Sequence, residues 1–250
     1  MNEEVTKEEV TTTEEVATTE ETAEIVPKLE RKADVESQLA KTRDLSGVDM
    51  SGLALAGIKF AGAKMTKATL ANADLSGAVL AGLDAGETDF SNANLSGAKI
   101  LGANLAKSIF RNVMMAGARI AGVDMNHADL SNADLTDGKI MGASFEGAKL
   151  DNANLTAVKM VGTSLKSATL NNADLTATTL RRVDVTDADF SDADTTGARA
   201  GGVNWDQAKV PPAQLPEELP TVPPWLPAVI GGALVALVVL LIVRKKKAKA

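Results

Sequence analysis

Every fifth residue from Leu45 to Phe190 is apolar, in an unbroken series without insertion or deletion. With 45% apolar residues overall, chance does not produce a run of that length. Two residues before each of these centres stands a second small or apolar residue. It is Ala at 63, 68, 73, 78, 93, 98, 103, 118 and 128, and Val, Leu or Ile at several others. The residue between them is usually polar, as at Asp74, Asn94, Lys99, Asn104, Asp134 and Lys139. In, out, in over three residues is the alternation of a very short strand with one buried face. The remaining two residues of each five are rich in Ser, Thr, Gly, Asn and Asp, which favour bends. One edge and one bend per five residues does not fit the 3.6-residue period of a helix. The pattern predicts a β-solenoid.

A second period gives the number of edges in one coil. Asn72, Asn92, Asn112, Asn132, Asn152 and Asn172 lie twenty residues apart. So do Gly62, Gly82, Gly102, Gly122, Gly142, Gly162 and Gly202, with Arg182 the one interruption. Residues a whole coil apart stack over one another, so twenty residues make a coil and four edges make a square. The Asn column is expected to hydrogen-bond up the stack, and the Gly column to relieve crowding at a corner. The stretches ANADLSGA, SNANLSGA, SNADLTDG and NNADLTAT resemble the A(D/N)LXX pattern of the pentapeptide repeat family. That resemblance implies a right-handed quadrilateral β-helix. The expected fold is therefore an all-β solenoid of about eight coils over residues 43–205, roughly 40 Å long at the usual strand spacing. Val185, Thr195 and Ala200 replace bulky centres, which predicts weaker packing in the last coils.

The flanks differ in composition. Residues 1–24 are an acidic Thr/Glu tract with no sustained apolar face, expected to be disordered. Residues 25–42 carry Leu29, Ala33, Leu39 and Ala40 at roughly helical spacing; a short helix opening at Pro27 or just after it is expected to cap the first coil. Trp205, with Val203 two before it, is expected to plug the last. Residues 206–224 read as a Pro-rich linker. Residues 225–243, WLPAVIGGALVALVVLLIV, hold no charge; as a helix they span about 28 Å, close to the hydrocarbon core of a bilayer. A single C-terminal transmembrane helix is expected, with Trp225 at the interface. Ala228, Gly232 and Ala236 on one small-residue face hint at helix association, and hence at a homo-oligomer formed there or through the rod ends. Arg244, Lys245, Lys246 and Lys247 open a basic tail over 244–250. The positive-inside rule would put that tail in the cytoplasm and the rod outside, whereas the acidic N-terminus has no apolar export signal. A cytoplasmic rod is the reading adopted.

Catalytic chemistry has little to work with. There is no Cys, and His127 is the one His, so Ser/His/Asp, Cys/His and Cys-ligated metal arrangements are all unsupported. Met50, Met65, Met115, Met125 and Met160 occupy centres, where core filling explains them. NLS at 94–96 and NLT at 154–156 fit the glycosylation rule, but the repeat generates that spelling. No cofactor and no metal is expected. One stripe is less ordinary. Lys59, Lys99, Arg119, Lys139, Lys159 and Arg199 share one outward position, with Val79 and Thr179 on the remaining rungs. It reads as a solvated face or as a site for an anionic partner or lipid headgroup. The expected function is a non-enzymatic, membrane-anchored scaffold or protein-interaction rod without direct nucleic-acid binding, its protein partner unidentified. The alternative comes from the family resemblance: some members imitate duplex DNA and bind type II topoisomerases such as gyrase. The rod's 18 acidic against 15 basic side chains over 43–205 make a poor polyanion.

Overall fold

Backbone pairing between residues twenty apart runs the length of the rod, in a computed structural model that describes residues 27–219. On one face the chain stays extended for three residues per coil. These strands are β1 (Val79–Ala81), β2 (Lys99–Leu101), β3 (Arg119–Ala121), β4 (Lys139–Met141), β5 (Lys159–Val161), β6 (Thr179–Arg181) and β7 (Arg199–Gly201). With β8 (Glu217–Glu218) they form one parallel sheet in sequence order. On the other three faces single-residue parallel bridges do the same work, as in the columns Asp84–Asn104–Asp124, Asp89–Ile109–Asp129 and Asp74–Asn94–Met114. The four-sided coil is as expected. From Lys59 to Arg199 the stack makes about seven turns, against the eight expected, because eight rungs are separated by seven intervals.

The bends share one backbone feature. Every fifth residue from Gly47 to Gly202 has a positive φ, and no peptide bond is cis. Asn and Gly enter that left-handed region readily, while a side chain such as Ala157, Ala177 or Arg182 costs about 1–2 kcal/mol there. The Asn column therefore acts chiefly through the backbone. Only Asn112, donating from Nδ2 to Asn92 Oδ1 at 3.1 Å, makes the expected side-chain rung among the described residues.

The interior is a stack of centres. Phe60, Phe90, Phe110, Phe145 and Phe190 are fully buried, as are the five centre methionines. The Phe90 and Phe110 rings, one coil apart, lie parallel with centroids 4.8 Å apart, an arrangement contributing about 1 kcal/mol beyond burial. Small residues beside many centres, such as Thr88, Ser108, Ala143 and Ala188 two before Phe90, Phe110, Phe145 and Phe190, leave room for these large side chains within the narrow square. Buried hydroxyls return their hydrogen bonds to the backbone: Thr88 to Met65 O at 2.7 Å, Ser108 to Ala85 O at 2.8 Å, Thr178 to Leu155 O at 2.9 Å. Thr163 Oγ1 is buried and has no hydrogen-bond partner among the described residues.

Both ends are covered, and each differs from its sequence expectation. The helix α1 (Lys32–Lys41) starts later than Pro27. Residues 27–29 instead pair with the exposed edge at Asp49, whose N–H reaches Pro27 O at 2.8 Å and whose carbonyl accepts from Leu29 at 2.9 Å. An open strand edge offers better backbone partners than a frayed helical turn. Val35 of α1 is fully buried, and Leu29 and Leu39 pack partly against the core. At the far end the linker expected over 206–224 is not free in its first part. Residues 205–219 wrap the last coil. A 3-10 turn (Trp205–Gln207) places Trp205 edge-on to Phe190 at 5.4 Å, Val210 bridges Asp189, and Leu219 N–H bonds Ala200 O at 2.7 Å. Proline reads as linker in sequence, but on an outermost coil a missing N–H is no loss and denies a further strand its donor. Pro212 and Pro216 are buried there.

Two substitutions check this packing. Trp205→Ala should destabilise the C-terminal coils by about 2 kcal/mol, read as a lower melting temperature and faster amide exchange near Phe190. Thr163→Val should raise stability by about 1 kcal/mol by removing an unpartnered buried hydroxyl, whereas Thr88→Val, which breaks a made bond, should not.

Candidate functional site

Stacking turns each outward position into a column, so the four faces can be compared chemically. Three are built mainly from Asp and neutral residues, as in Asp74, Asn94, Met114, Asp134, Asn154 and Asp174, with Lys64 and Lys149 as single basic rungs in the other two columns. Asn94 Nδ2 donates to Asp74 Oδ1 at 3.3 Å, and Asn104 Nδ2 to Asp84 Oδ1 at 2.9 Å, so a neutral rung also bonds its charged neighbour.

These carboxylates are committed to the bends. Asp at the outward position accepts the backbone N–H two residues on: Ser76 to Asp74 at 3.0 Å, Ser91 to Asp89 at 2.8 Å, Thr136 to Asp134 at 3.0 Å, Thr176 to Asp174 at 2.8 Å, Thr196 to Asp194 at 2.8 Å. Asn fills the same role at Asn94 and Asn154. Asx turns of this kind supply the acceptor that a tight bend lacks. Hydrogen bonds from the residue two on hold the Asp44, Asp49, Asp74, Asp174, Asp184, Asp189 and Asp194 carboxyls below their ordinary range. At Asp129 partial burial pushes upward, and hydrogen bonds from Ser131 and Arg111 outweigh it. Asp- or Asn-x-Ser/Thr, repeated in the sequence, is the signal that could have revealed these turn caps, which sequence reasoning missed.

The fourth face departs from this pattern. Lys99, Arg119, Lys139 and Lys159 occupy four successive rungs in direct register, all exposed. Lys59 and Arg199 extend the column beyond Val79 and Thr179. Adjacent backbones lie about 4.8 Å apart, a separation at which like charges cost up to about 0.9 kcal/mol in water before screening. Among the described residues, Arg199 is the column's one member in an ion pair, with Glu217 at 3.7 Å. Two carboxylates close to the column in sequence do not neutralise it: Glu146 pairs with Lys166 at 3.3 Å, and Asp137 joins no ion pair among the described residues. Because the strands here run a third residue before turning, a second outward column stands beside the cations. It reads Ala81, Leu101, Ala121, Met141 and Val161 before Arg181 and Gly201 end it, with Leu101 39% and Met141 56% exposed. Leu101, Ala121 and Met141 line a shallow groove with Arg119 and Lys139. Sequence reasoning found the cationic column and missed the apolar one, which shows only when residues 101, 121, 141 and 161 are aligned at the coil length.

The other candidates fall apart as sites. His127 sits exposed at a bend with positive φ, its ring lying over Gly147, where an added Cβ would come within 2.5 Å of Nδ1. Among the described residues no three His, Cys, Asp or Glu side chains gather to hold a metal, and no helix is long and apolar enough to cross a membrane. The expected acidic tail and the anchor residues Trp225, Gly232, Ala236, Arg244, Lys245, Lys246 and Lys247 lie outside the described residues.

Comparison with known proteins agrees with the geometry. A family profile described as pentapeptide repeats matches in overlapping copies between residues 44 and 197. No curated protein matches the chain significantly. Among solved structures the chain is similar to HetL, a pentapeptide repeat protein involved in heterocyst differentiation regulation from the cyanobacterium Nostoc sp. strain PCC 7120. The identity is 23%, over 75% of this chain and 100% of that one, with a TM-score of 0.31. It is also similar to a trypsin-treated variant of QnrB1, a plasmid-mediated fluoroquinolone resistance protein, at 21% identity over 63% of this chain and 89% of that one, TM-score 0.38. A pentapeptide repeat protein of the Arabidopsis thaliana thylakoid lumen matches at 24% identity over 49% and 68%, TM-score 0.29.

The turn caps give a pH dependence. A carboxyl whose folded pKa lies below its unfolded value of 3.8 adds stability above that value and withdraws it as acid protonates the folded state. Melting temperature should therefore hold steady from neutrality downward and fall once the pH passes below about 4. Replacing Asp74, Asp174, Asp184 and Asp194 with Asn, which still accepts the turn hydrogen bond, should flatten that decline.

Proposed function

Since the chain belongs to the pentapeptide repeat family, we propose that it is a non-enzymatic interaction rod anchored in a membrane, presenting its faces to a protein partner. The observation that carries this reading is the charge-free apolar run at 225–243, which begins six residues beyond the last residue of the wrapped cap, Leu219. A rod already capped at that end has no core left to receive such a run, and its length suits a bilayer. The regular outward columns suit binding, because a solenoid offers extended rigid faces whose spacing is fixed by strand separation. We place the rod on the cytoplasmic side, where the anionic leaflet complements the cationic face.

Imitation of duplex DNA fits the described surface less well. A polyanion mimic needs dense, unbroken negative charge, whereas the acidic columns here are interrupted by neutral rungs and by Lys64 and Lys149, and the fourth face is cationic.

Two measurements test the proposal. The full chain should float with phosphatidylcholine vesicles and remain with them through an alkaline wash, and Leu240→Arg with Leu241→Arg should release it. Release of the unaltered chain by the wash would refute the anchor. Added to a gyrase supercoiling assay, the chain should leave the rate unchanged; inhibition at stoichiometric amounts would favour DNA mimicry instead.

A further inference from the structure

We propose that the face carrying β1–β7 is the side on which the rod lies against an anionic lipid surface, a proposal that rests on the membrane-anchored reading above. Three independent observations converge on this face. Lys99, Arg119, Lys139 and Lys159 stand in direct register without an ion-pair partner among the described residues, so a surface of anions would relieve their mutual repulsion. Leu101 and Met141, two of the large apolar side chains left in solvent, stand in the adjoining column of the same sheet. Cations flanking exposed apolar side chains match the boundary between headgroups and acyl chains, where charge meets phosphate and the apolar group enters the lipid.

The third observation is where the chain leaves the rod. The strand β8 is the last rung of this sheet, pairing Glu217 with Arg199, and Leu219 lies over Gly201. Residues 220–224 are all that separate Leu219 from the apolar run, and the six steps from Leu219 to Trp225 reach at most about 22 Å when fully extended. An inserted run therefore keeps the C-terminal end of this face close to the bilayer. The ladder itself extends about 34 Å at the parallel-strand spacing, enough to lie along the surface. The columns of the three remaining faces hold more Asp than Lys, with Lys64 and Lys149 as single basic rungs, so an anionic surface favours them less. They are left free for the protein partner.

The absence of cysteine allows a direct test on the full chain. Met141→Cys places an environment-sensitive fluorophore on the proposed face, and Met114→Cys places one on an acidic face. In vesicles of equimolar phosphatidylcholine and phosphatidylglycerol, the label at 141 should shift to the blue and be quenched by spin-labelled lipid, while the label at 114 does neither. Raising the salt, omitting phosphatidylglycerol, or adding Lys99→Glu with Lys139→Glu should abolish most of the signal at 141. If the protein floats with vesicles yet both labels behave alike, the anchor stands and the face proposal falls. If the protein floats only with the anionic vesicles and the 141 label responds, the face proposal stands and the anchor falls. If it floats with neither, both fall. A shift at 141 that is present in detergent without lipid, and lost when the N-terminal glutamates are changed to Gln, would put the chain's own acidic segment on this face and overturn the lipid assignment.

Discussion

A left-handed backbone conformation at every fifth residue is the constraint from which the rest of the molecule follows. From Gly47 to Gly202 it is never missed. It bends the chain sharply enough that two residues suffice for a corner, and four corners then close a coil in twenty residues. Glycine and asparagine meet the requirement at little cost, yet Lys67, Glu87 and Arg182 meet it too. Their tolerance shows that the stacked hydrogen bonds and the buried centres of neighbouring coils outweigh local strain. A helix has no comparable demand, because its own hydrogen bonds set its pitch.

The fold was legible in the sequence to the extent that it is periodic. Leu45 to Phe190 declare the edges, and the Asn and Gly recurrences declare the coil. What escaped was aperiodic or had two physical readings. Pro211, Pro212 and Pro216 read as spacer because proline is common in linkers, but the same missing N–H suits the outermost winding of a stack. Pro27 reads as a helix opener, but an unpaired strand edge nearby claimed residues 27–29 first. The Asn column suggested a side-chain ladder, whereas its common property is a φ between 55° and 61°. Both readings begin from the same residues. Only the position of neighbouring chain decides between them.

The candidate surface was half legible. The cationic column is visible once residues are aligned by twenty, since charge catches the eye. Leu101 and Met141 are unremarkable in isolation, as scattered apolar side chains are normal on protein surfaces. Their meaning depends on the strands of this face being one residue longer than the bends elsewhere permit, a detail of backbone geometry that composition does not reveal. The acidic faces carry the opposite lesson: their Asp residues look like a charged surface, yet many are consumed in closing corners.

The dissimilar lids at the two ends have a consequence for how such a rod can change length. Duplicating an interior winding leaves α1 and the wrap over 205–219 seated as before, and every chemical stripe runs on in line. Adding a single block of five would act as a quarter-turn phase slip. Everything downstream would be dialled round by one side, so the cations of the upper half would continue into carboxylates below. Growth in steps of twenty keeps the pattern in gear; growth in steps of five shears it.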